Sequence, residues 1–450
     1  MAPDVPPTPA RRGVGGRGDV AAVLGVVVLV VAAAVVGRGL IRDGVQILLP
    51  FPPLLASWEP HLGWGTPVAL VVAVLVVARG PELAARMRWG GLMAAAGAAA
   101  LAWTVSLALV DGWQRGVVER LASEEEYLHD VPRVAGVLEM LRTFSDHILT
   151  DQPVHWTTHV GAHPPGVFLL FVWLDRIGLG GGEPAGLFVM LVGSSACVAV
   201  AVGLQALGAE DVARRALPFG VLLPGAVWIG VSADGMFAGV LAWGVALLAV
   251  ATRGSAGSAV AAVTGGVLLG YALYLSYGLV LGGLLPLAVL AVTRAWRVAG
   301  LAVLGAAAVV AAFTAAGFWW FTGFAHVRVI YAASIAETRP YSFFVWANLA
   351  ALAFAIGPAV VAGLRRAASD AAGPRELPAA AVLLTVAGLA AIVLADLSGM
   401  SKAEVERIWL PFALWLVLPC ALLPREHVRY WLAAQASLAL AVNHLLLTVW

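Results

Sequence analysis

Charge is what this chain has least of. Of its 450 residues only 12% are Asp, Glu, Lys or Arg, while 61% are hydrophobic; an ordinary soluble domain carries roughly 25% charge. Twenty-seven basic and 26 acidic residues cannot cover the surface of a water-soluble protein of this length, so a soluble fold is excluded. The two signs almost cancel, leaving a net charge of +1. That excludes a nucleic-acid binder, which needs a concentrated basic face to displace counterions. The two cysteines, Cys197 and Cys420, each lie inside an apolar stretch, so neither a disulfide framework nor a thiolate metal site is supported. A single lysine, Lys402, stands among the arginines, and with the abundance of Ala, Gly and Val this reflects a GC-rich coding bias rather than mechanism.

What is there is apolar sequence in long runs. A hydrocarbon core about 30 Å thick takes roughly 20 apolar residues as helix, with every backbone group satisfied internally. Runs at 20–36, 66–78, 89–110, 185–207, 216–233, 235–251, 257–275, 278–293, 298–322, 343–364, 378–397, 408–423 and 429–448 predict an all-α, polytopic bundle of about 13 spans within 19–450. Residues 1–18, rich in Pro, Gly and Arg, read as a disordered cytoplasmic tail, and 20–36 as an uncleaved first span. No internal repeat is visible, which disfavours an inverted-repeat transporter.

Orientation follows from the basic residues of the loops. With the tail cytoplasmic, sixteen of the 27 basic residues fall in inside loops, among them Arg79, Arg86, Arg88, Arg214, Arg215, Arg365, Arg366, Arg425 and Arg429. This makes the protein multi-pass in the plasma membrane. Loop 111–165 must then be outside and Arg214-Arg215 inside, so an odd number of crossings lies between them, yet two apolar runs do. The short run 166–178, which follows a Pro-Pro pair and contains Asp175-Arg176, is therefore predicted not to cross fully.

The outer loops collect the chemistry. Loop 111–165 holds nine of the 26 acids and five of the nine histidines. Within it Val134, Val137, Leu138, Leu141, Phe144 and Ile148 recur at mostly three- and four-residue steps, which predicts an amphipathic helix on the outer membrane face. Its acidic run Glu124-Glu125-Glu126 precedes Tyr127, and the loop closes on His163-Pro164-Pro165-Gly166. A further acid, Asp234, sits between two apolar runs, where a lone carboxylate is costly unless it faces water or a partner.

An acidic pair with a following aromatic, an amphipathic juxtamembrane helix, and a His-led Pro-Pro motif at the re-entry point resemble the first outer loop of GT-C superfamily glycosyltransferases. These include the protein O-mannosyltransferases and the lipid A aminoarabinose transferases. Ser232-Ala233-Asp234-Gly235 is similar to the second outer acidic position of that superfamily. The resemblance covers roughly 111–250 by motif and the remainder by architecture. It implies a polyprenyl-phosphate sugar as donor and a glycan, lipid or protein of the cell envelope as acceptor, with membrane lipid around the chain. It leaves room for a divalent ion, Mg or Mn, with no metal ligands named by the sequence and no other cofactor implied.

Displacement of a phosphate from a sugar needs a base for the acceptor hydroxyl and a cation for the departing phosphate. Glu126 is the first choice as base, Glu125 next and Asp130 third, with Asp234 as a further catalytic acid; Glu124 to Glu126 would equally serve as acidic N-terminal caps of the following helix. His163 and Tyr127 are expected against substrate. Lys402, Glu406 and Arg407 at the outer edge of 396–407, together with Arg339 and Tyr341, are expected to hold phosphate and sugar. Ordinary interfacial decoration is the alternative for these cations and aromatics. His155, His159 and His163 keep a four-residue spacing, but Pro153, Gly161 and Pro164 argue against one continuous metal-binding helix face. Tyr271, Tyr274 and Tyr277 read as packing. The sequence thus points to a membrane glycosyltransferase; a transporter or lipid flippase is the alternative, disfavoured because ionisable residues avoid the spans, and a noncatalytic scaffold leaves the polar loops unexplained.

Overall fold

The computed structural model describes residues 16–230, 232–370 and 377–449. The expected tail at 1–15 lies outside these residues, but its last three positions do not form a tail: Gly16–Gly18 already belong to the helix Gly16–Arg42. The described elements are almost all helical, as an apolar chain with no water to satisfy its backbone requires. Strand pairing joins Ala56–Trp58 to Leu446–Thr448, antiparallel, and so ties an early loop to the C-terminal segment.

Nine helices among the described residues are long and apolar enough to cross a membrane, fewer than the thirteen runs suggest. Three of the other runs are broken. The run 216–233 divides into Glu210–Val221 and Ala226–Ile229, 278–293 into a 3-10 segment Tyr277–Gly283 and the helix Leu284–Thr293, and 408–423 into Leu410–Ala413 and a 3-10 segment Leu414–Leu422. A fourth, Val428–Leu445, is long enough, but Arg429, Gln435, Asn443 and His444 dilute its apolar character. The helix Tyr341–Asp370 is interrupted at Gly357, with φ +76° before Pro358. There Gln435 replaces the lost helical bonds: its Nε2 donates to Ile356 O at 2.9 Å, and its Oε1 accepts from Ala359 N at 3.0 Å. A side chain at 357 would strike that amide.

Contacts sort the ends of these helices into two sets. At one end Asp19 is held by Arg365 and Arg366, Glu82 by Arg429, and Arg214 donates to Ala84 O and Met87 O. At the other end gather 43–61, 109–165, 317–341, 397–408 and the C-terminal strand, joined by bonds such as His61–Asp111, His326–Ser145 O and Arg339–Ile47 O.

The segment 165–214 changes ends once. The helix Pro165–Arg176 has 12 residues, about 18 Å at 1.5 Å per residue, too short for a hydrocarbon core of about 30 Å. It both begins and ends against loop 111–165: the Phe171 ring lies 5.5 Å from that of Tyr127, and Arg176 Nη2 donates to Val134 O and Ala135 O at 2.7 and 3.0 Å. Only then does the helical stretch Gly182–Ala206 run from Val118, whose carbonyl leaves no room for a side chain at Gly182, to the arginine-rich end. Within the loop, the amphipathic helix is shorter than its pattern suggests, Val137–Thr143 with a 3-10 turn to His147. Met140, Leu141, Phe144 and Ile148 are buried beneath it, while Leu138 is exposed.

Candidate functional site

Five segments distant in sequence meet at the acid-rich end. The turn Ser123–Glu126 delivers Glu126 as the residue before the short helix Tyr127–Asp130. Its side chain does not cap that helix: it turns inward, 2% exposed, and places Oε1 3.0 Å from His159 Nδ1. Its other oxygen, Oε2, is buried without a hydrogen-bond partner. A buried carboxylate oxygen left unmatched is costly, which marks this atom as one that expects something the protein does not supply. His159 rides on the short helix Thr158–Ala162, whose position is fixed by Asp130: Oδ1 accepts from Arg133 at 2.6 Å and Oδ2 from the Thr157 amide at 2.8 Å.

Asp234 enters from the first turn of Ala233–Ala251 and is buried. Arg407 meets it, Nη1 to Oδ2 at 2.6 Å, and reaches Glu404 Oε2 with Nη2 at 2.5 Å. Burial alone would weaken the Arg407 cation, but Glu404 and Asp234 outweigh it and hold the guanidinium above its ordinary range. Glu404 is held below the usual carboxylate range, because Arg407 outweighs its own desolvation. Neighbouring Glu406 has no such partner. Burial pushes its carboxyl up to about 8, and its Oε2 is unmatched.

The loop that presents these three residues is held in an unusual backbone. Ala403 and Glu404 have φ +75° and +59°, a left-handed region that residues with a Cβ avoid. Asn348 fastens it: Nδ2 donates to Asp396 Oδ1 and Ser401 O, and Oδ1 accepts from the Ala403 amide. Arg339 adds a second tie, donating to Ile47 O and Lys402 O, and stands 3.9 Å from Glu404.

Between the two acid groups lies an aromatic and imidazole layer. The Tyr127 ring is 6.1 Å from His159 and 5.8 Å from His163, and His163 is 5.9 Å from Phe237. Burial pushes Tyr127 well above its ordinary range, with Glu126 and Asp234 adding to the shift. His163 is pushed down to about 4, first by burial and then by His159, while its Nδ1 donates to His159 O at 2.8 Å. It is a neutral imidazole at pH 7. A cavity of about 40 Å³, little more than water-sized, touches Asp234 beside Ser276, Gly278 and Trp409.

Of the residues singled out by sequence, Glu126, Tyr127, His163, Asp234, Glu406, Arg407 and Arg339 come together here. Glu125 is exposed and offers only its carbonyl, to the His159 amide. Asp130 is occupied by Arg133 and Thr157 and acts as a loop fastener. Lys402 turns to Ala336 O at 2.7 Å, and Tyr341 is 41% exposed, bonding Leu397 O at 3.2 Å. Tyr274 stacks on Phe313 at 3.9 Å, as a packing residue does. Glu404, His159 and Asn348 complete the site. His159 belongs to the four-residue histidine series noted in the sequence, and Asn348 stands out there as a polar residue alone in an apolar span.

Among the described residues no three His, Cys, Asp or Glu groups stand close enough to hold a metal ion. The carboxylates are answered by guanidinium and imidazole instead of by one another, which is not the oxygen-rich donor set that Mg or Mn takes. Comparison of the chain with protein-family models and with curated proteins gives no match.

Proposed function

We propose that this is an integral membrane glycosyltransferase of GT-C-like design, transferring a sugar from a polyprenyl-phosphate donor to a cell-envelope acceptor on the extracytoplasmic side of the plasma membrane. The observation that carries the reading is the buried cluster itself: an unmatched carboxylate oxygen of Glu126 within one layer of aromatic and imidazole rings from an arginine locked between Asp234 and Glu404. Burying this much charge is expensive, and packing alone gives no reason for it. In this proposal the broken segments also cross, giving thirteen spans, and the acid-rich end faces outward.

Glu126 would take the proton of the acceptor hydroxyl. The acceptor oxygen forms a bond to the anomeric carbon while the bond from that carbon to the phosphate oxygen breaks, its electron pair leaving with polyprenyl phosphate. Arg407 would meet the growing phosphate charge, exchanging one of its carboxylate partners for it; a preorganised cation at that point stabilises the transition state more than the ground state. Direct displacement inverts the anomeric configuration. Incubation of the purified protein in lipid vesicles with radiolabelled polyprenyl-phosphate sugars and envelope extract tests the proposal. Labelled acceptor and released polyprenyl phosphate are expected, with loss of both in Asp234→Asn. Turnover unaffected by that substitution would defeat it.

A second reading, a lipid flippase or transporter, draws on one feature. The interruption at Gly357-Pro358, capped by Gln435, is a broken helix of the kind that transporters use at their binding sites. Here both freed backbone groups are already satisfied, and the ionisable cluster lies at the helix ends instead. Gln435→Leu separates the readings: a flippase loses transport, whereas a transferase loses stability and keeps its chemistry.

A further inference from the structure

The arginine-rich end has a site of its own. A cavity of about 490 Å³ opens between the ends of Gly65–Arg86, Glu210–Val221 and Val428–Leu445, lined by Arg86, Arg214, Arg215, Arg425 and Arg429. Two acids share its wall, Glu82 and Glu426. Glu82 is already answered by Arg429 at 2.7 Å. Five arginines against two acids leave a surplus of three in the lining, reduced to two by Glu210, which pairs with Arg214 from outside it. Arg214 makes the floor rigid: it donates to Glu210, Ala84 O and Met87 O and stacks over Trp89.

Alongside runs a trough of about 270 Å³ that shares Ala84 and Pro218 with the cavity and is otherwise nearly all apolar. Ala95, Ala96 and Ala99 line it together with Leu75, Leu83 and Leu217. Gly80 lines the trough beside Pro218, where an added Cβ would come within 3.5 Å of the proline. Solvated topogenic arginines explain a basic face. They do not explain a cavity set beside an apolar trough that shares two of its lining residues, Ala84 and Pro218.

We infer that this end binds an anionic phospholipid with a two-phosphate, diphosphatidyl headgroup, the phosphates in the arginine cavity and an acyl chain in the trough. Guanidinium forks match phosphate oxygens, and basic pockets between membrane helices suit such headgroups. The surplus of two charges answers two phosphates rather than a zwitterion, and the trough suits a tail, which a free anion lacks.

Native mass spectrometry of the full-length protein tests this with four probes: a diphosphatidyl lipid, phosphatidylcholine, polyprenyl phosphate and inorganic pyrophosphate. The diphosphatidyl lipid is expected to be retained most tightly. At about 1 kcal/mol for each basic residue, the double variant R86Q/R425Q should weaken it on the order of thirtyfold, and Ala95→Phe, which fills the trough from its exposed side, should weaken the lipid but not pyrophosphate. Arg253→Gln, on the same face outside the cavity, should change nothing. Equal retention of phosphatidylcholine, a preference for polyprenyl phosphate, pyrophosphate binding as tightly as the lipid, or equal losses in Arg253→Gln would each overturn the inference. Because lipid retention is read rather than glycosyl transfer, its failure leaves the proposed activity untouched.

Discussion

The two ends of the helical bundle handle charge differently. Around the cavity of the arginine-rich end the ion pairing is open to solvent, Arg429–Glu82 joining side chains 55% and 45% exposed, and burial at that end is confined, among the described residues, to Asp19, 1% exposed between Arg365 and Arg366. At the acid-rich end Arg407 and Asp234 are 7% and 8% exposed, with Glu404 closing the triad. Exposed pairs contribute little to stability and serve orientation and surface recognition. Buried ones cost desolvation that their attraction barely repays, and they collapse when one member is removed. The acid-rich end gathers several buried charges into one closed centre, whereas the arginine-rich end buries one aspartate and leaves its cavity pairs exposed.

The sharpest way to break this contrast is Arg407→Ala. It leaves Asp234 and Glu404 buried without their cation, and a loss of about 3–5 kcal/mol is expected, read as a lowered unfolding midpoint in detergent; a change within experimental error would mean the triad is not desolvated. Asp130→Asn is expected to cost less, about 1–3 kcal/mol, by loosening Arg133 and the Thr157 amide, and increased proteolysis of loop 151–158 checks it. Glu406→Gln separates burial from pairing. A carboxyl raised to about 8 when folded binds a proton that the unfolded chain releases near 4.5, so its contribution is complete below about 4.5 and lost as pH rises through about 8. The variant should therefore flatten the fall of stability across that window, measured by melting at pH 5 and pH 9. The smallest effect belongs to the other end: Arg429→Gln should shift stability by no more than about 0.5–1 kcal/mol, and less at high salt.

Much of this was legible in the residues because lipid allows so few structures. Apolar runs gave the helical bundle, and the parity of Arg214-Arg215 against loop 111–165 asked for a run that does not cross, with which the 12-residue helix Pro165–Arg176 agrees in length. Run length alone could not reveal where helices break. Leu222–Gly225 and Gly357 are as apolar as their surroundings, and only Gln435, far along the chain, makes the second break tolerable. At the site, sequence proximity misled where burial decides. Glu125 and Glu126 are adjacent, yet one faces solvent and the other His159; Asp130 has the right chemistry but is used up by its neighbours. Glu404 and Asn348 act through a left-handed turn that no motif announces.

That contrast between adjacent glutamates gives the most direct test of the central claim. Glu126→Gln and Glu125→Gln, assayed side by side for transfer from a radiolabelled polyprenyl-phosphate sugar, should differ sharply: the first is expected to fall by about 10²–10⁴-fold, the contribution of a positioned general base, with the second near wild type. Equal activity in both variants would contradict the assignment of the buried cluster as the catalytic centre.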